Sequence, residues 1–253
     1  MLKVLKYIYG IWLAVTFVLI TFPMVICYLF MFLAPYRYQI VGVYFINRSF
    51  LFIWSIIVGL FYKIKGKENI EKNQTYIVVS NHINTIDLAS ISYGLRVYAK
   101  PLVKKELTKI PGVGQLFSLM CLTVDRSNKE SRHASKVKML SDLKKGISIF
   151  IFPEGTRNRT AQPLLPFFDG AFELAIEAQV PILPAIQLNT RKLNPNNTWM
   201  FRPGIIELVH LPSISTIGLT MDNMQELKAK VHKIMSDFIV NHDKDFKDGK
   251  LIE

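Results

Sequence analysis

Residues 76–87 read Tyr-Ile-Val-Val-Ser-Asn-His-Ile-Asn-Thr-Ile-Asp, and this stretch indicates how the chain folds. Its first five residues form a short apolar run rich in β-branched side chains, which is typical of a buried strand. The polar residues that follow predict a loop, and residues 88–95 predict a helix. Polar side chains therefore stand at the carboxyl end of a strand, where open α/β sheets usually carry their sites.

The same alternation of strand and helix continues toward the C-terminus. Similar apolar runs predict strands over residues 122–125, 147–152 and 182–187. Helical patterns cover residues 129–145, 169–178 and 223–240. Such alternation predicts an α/β domain with a mostly parallel sheet flanked by helices. We assign this domain to residues 63–253 and treat residues 1–62 as a separate N-terminal segment.

The N-terminal segment is strongly apolar. Residues 7–36 include no charged side chain, and this run is longer than the roughly 20 residues needed to cross the bilayer core. A second apolar stretch over residues 40–62 is interrupted by Asn47 and Arg48. The sequence therefore predicts that residues 1–62 bind a membrane.

Basic residues flank the apolar stretches on every side, namely Lys3, Lys6, Arg37, Lys63, Lys65 and Lys67. A spanning helix normally concentrates its basic flank on one face of the membrane. The symmetric charge instead favours a monotopic hairpin of two membrane-embedded helices, which would keep the active site on the cytoplasmic face. A single anchor helix followed by an amphipathic helix is the alternative.

The overall charge narrows the class of partner. The 253 residues have a formal net charge of +12, which suits nucleic acid, anionic lipid or phosphorylated substrates. The basic residues neither alternate with aromatic residues nor form a recognisable helix motif, so nucleic acid is not expected. Cys27 and Cys121 are too few for a zinc cluster. No metal site is predicted, and an anionic membrane leaflet and phosphorylated substrates are the expected partners.

His82 and Asp87 are the candidate catalytic residues, since both follow the first predicted strand. A neutral imidazole is well matched to removing a proton from an alcohol near pH 7. Asp87 could accept the other ring N–H and so fix the tautomer. Ser80 is disfavoured as a nucleophile because no nucleophile elbow surrounds it. The alternative is a buried structural histidine beside an aspartate that caps the helix.

Three further segments supply polar residues, and two of them lie at predicted strand ends. Gly155 allows a close backbone approach to a ligand, and Arg157 offers two parallel donors that suit phosphate. Arg126 follows another strand, and Lys105 precedes a glycine-containing turn. Each cation could instead take part in an ordinary surface ion pair.

The order of these motifs resembles that of the glycerophospholipid acyltransferases, particularly those acting on 1-acyl-sn-glycerol-3-phosphate. The resemblance covers roughly residues 61–240. It is carried by Asn-His-x4-Asp at 81–87, Lys-x-Leu at 105–107, Asp-Arg at 125–126, Phe-Pro-Glu-Gly-Thr-Arg at 152–157 and Pro-Ile-x-Pro at 181–184.

This resemblance implies acylation of the sn-2 hydroxyl to give phosphatidic acid in phospholipid biosynthesis. It implies acyl-CoA or acyl-acyl carrier protein as the donor and no cofactor. His82 would be the base and Asp87 its partner, with Lys105 near the reacting centre. The residues implied to bind the glycerol phosphate of the acceptor are Arg126, Glu154, Gly155, Thr156 and Arg157.

Asp169 marks a departure from the family pattern, which commonly has a lysine before the glycine at position 170. The charge at this position is therefore reversed. Another lysolipid or glycerol 3-phosphate is accordingly the alternative acceptor. A lipid-binding protein without catalytic activity is the alternative of a different class.

Overall fold

A computed structural model describes residues 2–109, 114, 120–125, 128–194, 200–247 and 250–251. The helices are α1 (Leu2–Phe32), α2 (Tyr36–Ile57), α3 (Asp87–Gly94), α4 (Lys129–Lys144), α5 (Gly170–Ala178), α6 (Thr190–Leu193) and α7 (Met224–His242). The strands are β1 (Leu60–Lys65), β2 (Ile77–Val79), β3 (Ala99–Lys104), β4 (Leu122–Val124), β5 (Ser148–Ile151), β6 (Ile182–Leu188), β7 (Gly204–His210), β8 (Phe246–Lys247) and β9 (Lys250–Leu251).

Seven strands form one sheet in the order β1-β7-β6-β2-β5-β3-β4. All adjacent pairs are parallel except β6 and β7, so β1 and β7 run opposite to the other five strands. The carboxyl ends of β2, β5, β6, β3 and β4 therefore lie along one edge of the sheet. This arrangement confirms the predicted α/β fold with a mostly parallel sheet.

The central strands are buried on both faces, as expected for a parallel sheet covered by helices. Ile77 and Val79 of β2 pack in one cluster with residues of α4, α5 and α7. Val78 points to the opposite face and packs with Ile91 of α3. The continuous apolar runs in the sequence follow from this double burial.

The four strands predicted from sequence are present with shifted ends, and three other strands of the sheet were not predicted. β1 lies at an edge and alternates between packed Leu60 and Tyr62 and exposed Phe61 and Lys63, so it lacks a continuous apolar run. β7 includes half-buried Glu207, and β3 includes Pro101. Their pairing across the sheet, rather than local composition, makes them strands.

The two N-terminal helices pack along each other. Trp54 Nε1 donates a hydrogen bond to Thr16 Oγ1 at 3.1 Å, and the Trp54 ring meets Phe17 edge to face at 5.2 Å. Tyr28 Oη donates to Asn47 Oδ1. Residues 3–31 form the one described helix that is long and apolar enough to cross a membrane. Many of its large apolar side chains are exposed, including Phe22, Leu29 and Phe30.

Gly66, in the turn directly after β1, can be tested by substitution, and Gly218 in another turn is its matched control. Both have positive φ, 68° and 78°, but a Cβ at Gly66 would lie 1.9 Å from the carbonyl oxygen of His210, whereas Gly218 has open space. We expect Gly218→Ala to lower the free energy of unfolding by about 1–2 kcal/mol, because of the left-handed backbone alone. We expect Gly66→Ala to lower it by about 1–3 kcal/mol more, because the backbone at His210 must also move. Denaturant unfolding in detergent measures both, and equal losses would contradict this account.

Candidate active site

Two loops meet at the carboxyl ends of the neighbouring parallel strands β2 and β5. Val79 pairs with Ile151 in the register, and His82 and Glu154 each lie three residues further along the chain. They therefore reach the same level above the sheet. The backbone N–H of His82 donates to Glu154 Oε1 at 2.8 Å, which joins the two loops directly.

The histidine and aspartate predicted from sequence are in contact. His82 Nδ1 lies 3.0 Å from Asp87 Oδ2. The same oxygen accepts the backbone N–H groups of Ile83 at 2.5 Å and Asn84 at 2.8 Å. Because an ionised carboxylate only accepts hydrogen bonds, Nδ1 carries the proton. His82 Nε2 is then the ring nitrogen that can accept a proton from a ligand.

Asp87 is fully buried at the first position of α3. A negative charge at the start of a helix is stabilised by the helix dipole. The Oδ1 atom of Asp87 is buried, and none of the described atoms forms a hydrogen bond with it. The orientation of this carboxylate therefore depends on the three contacts made by Oδ2.

The ring of His82 stacks on Phe152, with centroids 4.0 Å apart and planes 13° apart. Phe152 is the first residue after β5. The stack restricts rotation of the imidazole, and 20% of the His82 side chain remains exposed. This role of Phe152 was not predicted from the sequence, in which its position at the end of a predicted strand, 147–152, was the available signal.

Glu154 is 1% exposed and uses both carboxyl oxygens on backbone groups. Oε1 accepts from His82, and Oε2 accepts from the N–H of Leu165 at 2.8 Å. Burial raises the pKa of Glu154 to about 7; the two backbone hydrogen bonds lower it, and the nearby Asp87 raises it. In this structure Glu154 connects loops.

The three residues after Glu154 fold over the loop that contains His82. Gly155 has a positive φ of 67°, and Arg157 Nη1 donates to Thr85 Oγ1 at 2.9 Å. Thr156 is exposed. The N–H of Asn158 donates to the carbonyl oxygen of His82 at 2.7 Å. Arg157 and Thr156 consequently lie beside the histidine loop at the surface.

Lys105 begins a short 3-10 helix directly after β3. Because β3 pairs in parallel with β5, Lys105 lies at the same edge of the sheet as Glu154. Among the described residues, no hydrogen bond or ion pair joins Lys105 to His82. Arg126 lies outside the described residues; β4 ends two positions before it.

Asp169 forms an ion pair instead of standing alone. Lys228 Nζ of α7 lies 2.5 Å from Asp169 Oδ1, and this hydrogen bond lowers the pKa of the carboxyl group. The preceding Phe168 N–H donates to the carbonyl oxygen of Pro153 at 2.9 Å, which ties this turn to the site. The negative charge is therefore balanced locally.

Two other side chains support the loops and were not identified as support from sequence. Asn81 pairs with the backbone of Gln187 at the end of β6, donating at 2.9 Å and accepting at 2.8 Å. Arg191 donates to the carbonyl oxygens of Thr160 and Gln162 at 3.0 and 3.2 Å. Arg191 is separated from these partners by about 30 residues, so no local pattern reveals it.

Comparisons with known proteins agree with this arrangement. The family model described as Acyltransferase matches residues 62–187. A 1-acyl-sn-glycerol-3-phosphate acyltransferase of Escherichia coli is 34% identical over 192 residues, covering 75% of this chain and 77% of that protein. One of Saccharomyces cerevisiae is 33% identical over 193 residues, covering 75% of this chain and 63% of that protein. The chain thus spans less than two thirds of the yeast relative.

A solved structure shares the fold. The crystal structure of the 1-acyl-sn-glycerophosphate acyltransferase PlsC from Thermotoga maritima superposes with a TM-score of 0.74 at 24% identity, covering 94% of both chains. At this identity the likeness concerns the fold. Together with the sequence matches, it shows that the chain belongs to the acyltransferase family that includes the 1-acyl-sn-glycerol-3-phosphate acyltransferases.

Proposed function

We propose that this protein transfers a fatty acyl chain from a thioester to the sn-2 hydroxyl of 1-acyl-sn-glycerol-3-phosphate, giving phosphatidic acid. The observation that carries the proposal is the contact of His82 Nδ1 with Asp87 Oδ2, which leaves Nε2 as the proton acceptor. The names of the E. coli and yeast relatives supply the acceptor. The donor is acyl-CoA or acyl-acyl carrier protein, and no cofactor is required.

The reaction needs no nucleophile from the enzyme. His82 Nε2 takes the proton of the sn-2 hydroxyl as the hydroxyl oxygen attacks the thioester carbonyl carbon. The C–S bond then breaks, and the departing thiolate takes the proton back from the imidazolium. The Asp87 carboxylate stabilises the imidazolium between these two steps.

The acceptor's phosphate is assigned to the cationic side of the histidine loop. Arg157 offers a planar fork that matches phosphate geometry, and Thr156 lies exposed next to it. Lys105 directly follows β3 at the same edge of the sheet, and Arg126, which comes two positions after β4 in the sequence, completes the proposed binding set. Glu154 and Gly155 are proposed to shape this loop, since Glu154 is buried and fully occupied by backbone donors.

Residues 1–62 are proposed to form a monotopic membrane hairpin that keeps the catalytic domain, residues 63–253, on the cytoplasmic leaflet. The exposed apolar side chains of α1 support this location. Basic side chains near the surface would attract anionic lipid and the polyanionic donor. The acceptor could then reach the site without leaving the bilayer.

A different acceptor remains the second candidate because of Asp169. A carboxylate stands at this position, where a lysine is common in the family; the Asp169 side chain is 43% exposed and pairs with Lys228. A lysolipid with a cationic or uncharged headgroup would tolerate this carboxylate better than lysophosphatidic acid, whose phosphate is also negatively charged. Acyl transfer across a panel of lysolipids and glycerol 3-phosphate, with both donor types, decides between them.

His82→Ala should lower kcat by about three orders of magnitude or more, since the base is lost. Asp87→Asn should lower it by about two to four orders, because an amide at this position can hold the wrong imidazole tautomer. Radiolabelled acyl transfer measures both, with vesicle sedimentation as the control for membrane binding. Normal rates in both variants would exclude the proposed mechanism.

Arg157→Ala should raise KM for the lysolipid about tenfold or more while leaving KM for the acyl donor within twofold. The reason is the loss of a charge-assisted contact with phosphate. Arg157→Lys should restore part of the affinity, because the charge returns without the fork. Steady-state kinetics with each substrate varied in turn tests this, and equal changes in both KM values would contradict the assignment.

The pH dependence of stability should change in Glu154→Gln. The pKa of Glu154 is about 7 in the folded protein against an ordinary 4.5. Its favourable contribution is therefore complete below pH 4.5 and is lost as pH rises through 7, at most about 3 kcal/mol. The variant should be less stable than the wild type at pH 5, since an amide accepts only through one oxygen, and its stability should fall less between pH 5 and 8. Denaturant titrations at both pH values measure this; identical pH slopes would refute it.

A further inference from the structure

The helix that carries Asp87 is short, and its far end needs partners. α3 has eight residues, and the last carbonyl groups of any helix lack N–H donors within that helix. In this structure other elements supply the donors. Arg48 and Tyr44 of α2 reach the carbonyl oxygens at this end, and His210 Nε2 of β7 lies 3.3 Å from the carbonyl oxygen of Gly94.

Arg48 makes the strongest of these contacts. Its Nη1 donates to the carbonyl oxygen of Tyr93 at 2.5 Å and lies 3.4 Å from that of Leu95, while Tyr44 Oη donates to Leu95 at 3.3 Å. A cation at a helix C-terminus is also favoured by the helix dipole. Arg48 was counted from sequence as an interruption of an apolar stretch; its side chain is in fact directed into the protein.

Aromatic packing fixes the same end of α3 from two sides. The Arg48 guanidinium lies over the Tyr93 ring, 5.0 Å from its centroid. Phe52 of α2 stacks on Tyr93 at 6.3 Å, and Tyr62 of β1 packs against it at 4.6 Å. Gly94 packs so closely on Leu208 that a Cβ would lie 2.1 Å from it. Movement of α3 along the sheet would therefore disturb all of these contacts.

A displacement at this end reaches the catalytic pair. An eight-residue helix is about 12 Å long and behaves as one stiff unit. Asp87 is its first residue, and the Oδ2 atom must keep three hydrogen bonds at once. Misplacement of a catalytic group by about 1 Å can cost two orders of magnitude in rate. The position of α3 is accordingly a condition for the chemistry.

We infer that Arg48 is a positioning residue that links the N-terminal helices to the catalytic pair through α3. α2 would then serve the reaction as well as the membrane. This inference rests on the proposed function. It differs from that function in predicting that a residue of the membrane segment controls kcat even when no membrane is present.

The experiment compares Arg48→Ala, Arg48→Lys and a control, Lys233→Ala, in the full-length protein. Lys233 is an exposed cation of α7 that pairs with Asp237 of the same helix, so its loss removes a charge without touching α3. Acyl transfer is measured with long-chain lysophosphatidic acid in vesicles and with a short-chain, monomeric analogue in solution. Thermal unfolding of each variant reports folding.

In Arg48→Ala we expect kcat to fall about tenfold with both acceptors, while KM and vesicle binding stay within twofold. Arg48→Lys should recover part of kcat, because an ammonium can donate to one carbonyl group, and Lys233→Ala should match the wild type. Should Arg48→Ala fail to fold, Tyr44→Phe removes one hydrogen bond from the same end of α3 and should lower kcat about two- to threefold with both acceptors.

Two results would overturn the inference. One is a rate loss confined to vesicles, which would mean that Arg48 acts through the membrane. The other is unchanged kcat in the folded Arg48 and Tyr44 variants. Inactivity of the wild type toward every lysolipid and donor would instead contradict the proposed function, so the two failures are distinguishable.

Discussion

The buried carboxylate of Asp87 sets the main requirement on this structure, since an ionised group without water is costly unless it is fully compensated. Compensation comes from three donors on Oδ2 and from the start of α3. Two of those donors are backbone groups of Ile83 and Asn84, so the carboxylate also determines the shape of the loop. The position of the His82 ring follows from that shape, and the stack on Phe152 restricts what rotation remains.

A second buried carboxyl group, that of Glu154, lies close to the first. Burial raises the pKa of Glu154 to about 7, and both of its oxygens accept backbone N–H groups. The two acids have different roles, since Asp87 orients a histidine and Glu154 joins two loops. Glu154, together with the N–H of Asn158 on the His82 carbonyl oxygen, makes the two strand ends one rigid unit.

The sequence predicted those features that depend on neighbouring residues. β2, β5 and β6 are continuous apolar runs because both faces are covered, and His82 and Asp87 follow one of those runs within a single loop. Edge strand β1 was not predicted because only alternate residues of it are packed. The hydrogen bonds by which Arg191 and Arg48 hold other segments were not predicted because they reach residues about 30 and 45 positions away. Arg48 also lies in an apolar stretch. From composition alone, a charged residue there is interpreted as a break in the stretch and not as a hydrogen-bond donor inside the protein.

The N-terminal helices pack directly against the elements that carry the catalytic pair. Leu13 of α1 and Trp54 of α2 share one apolar cluster with Ile86, the residue before Asp87, and with Leu60 of β1. The helices thus contact α3 near both of its ends, through Ile86 at the start and Tyr93 at the finish. Composition suggests a boundary near residue 62, whereas apolar packing is continuous across it. A helix pair that only anchored the domain would not need to contact either end of α3, and contact with both ends gives α1 and α2 a direct influence on the geometry of Asp87.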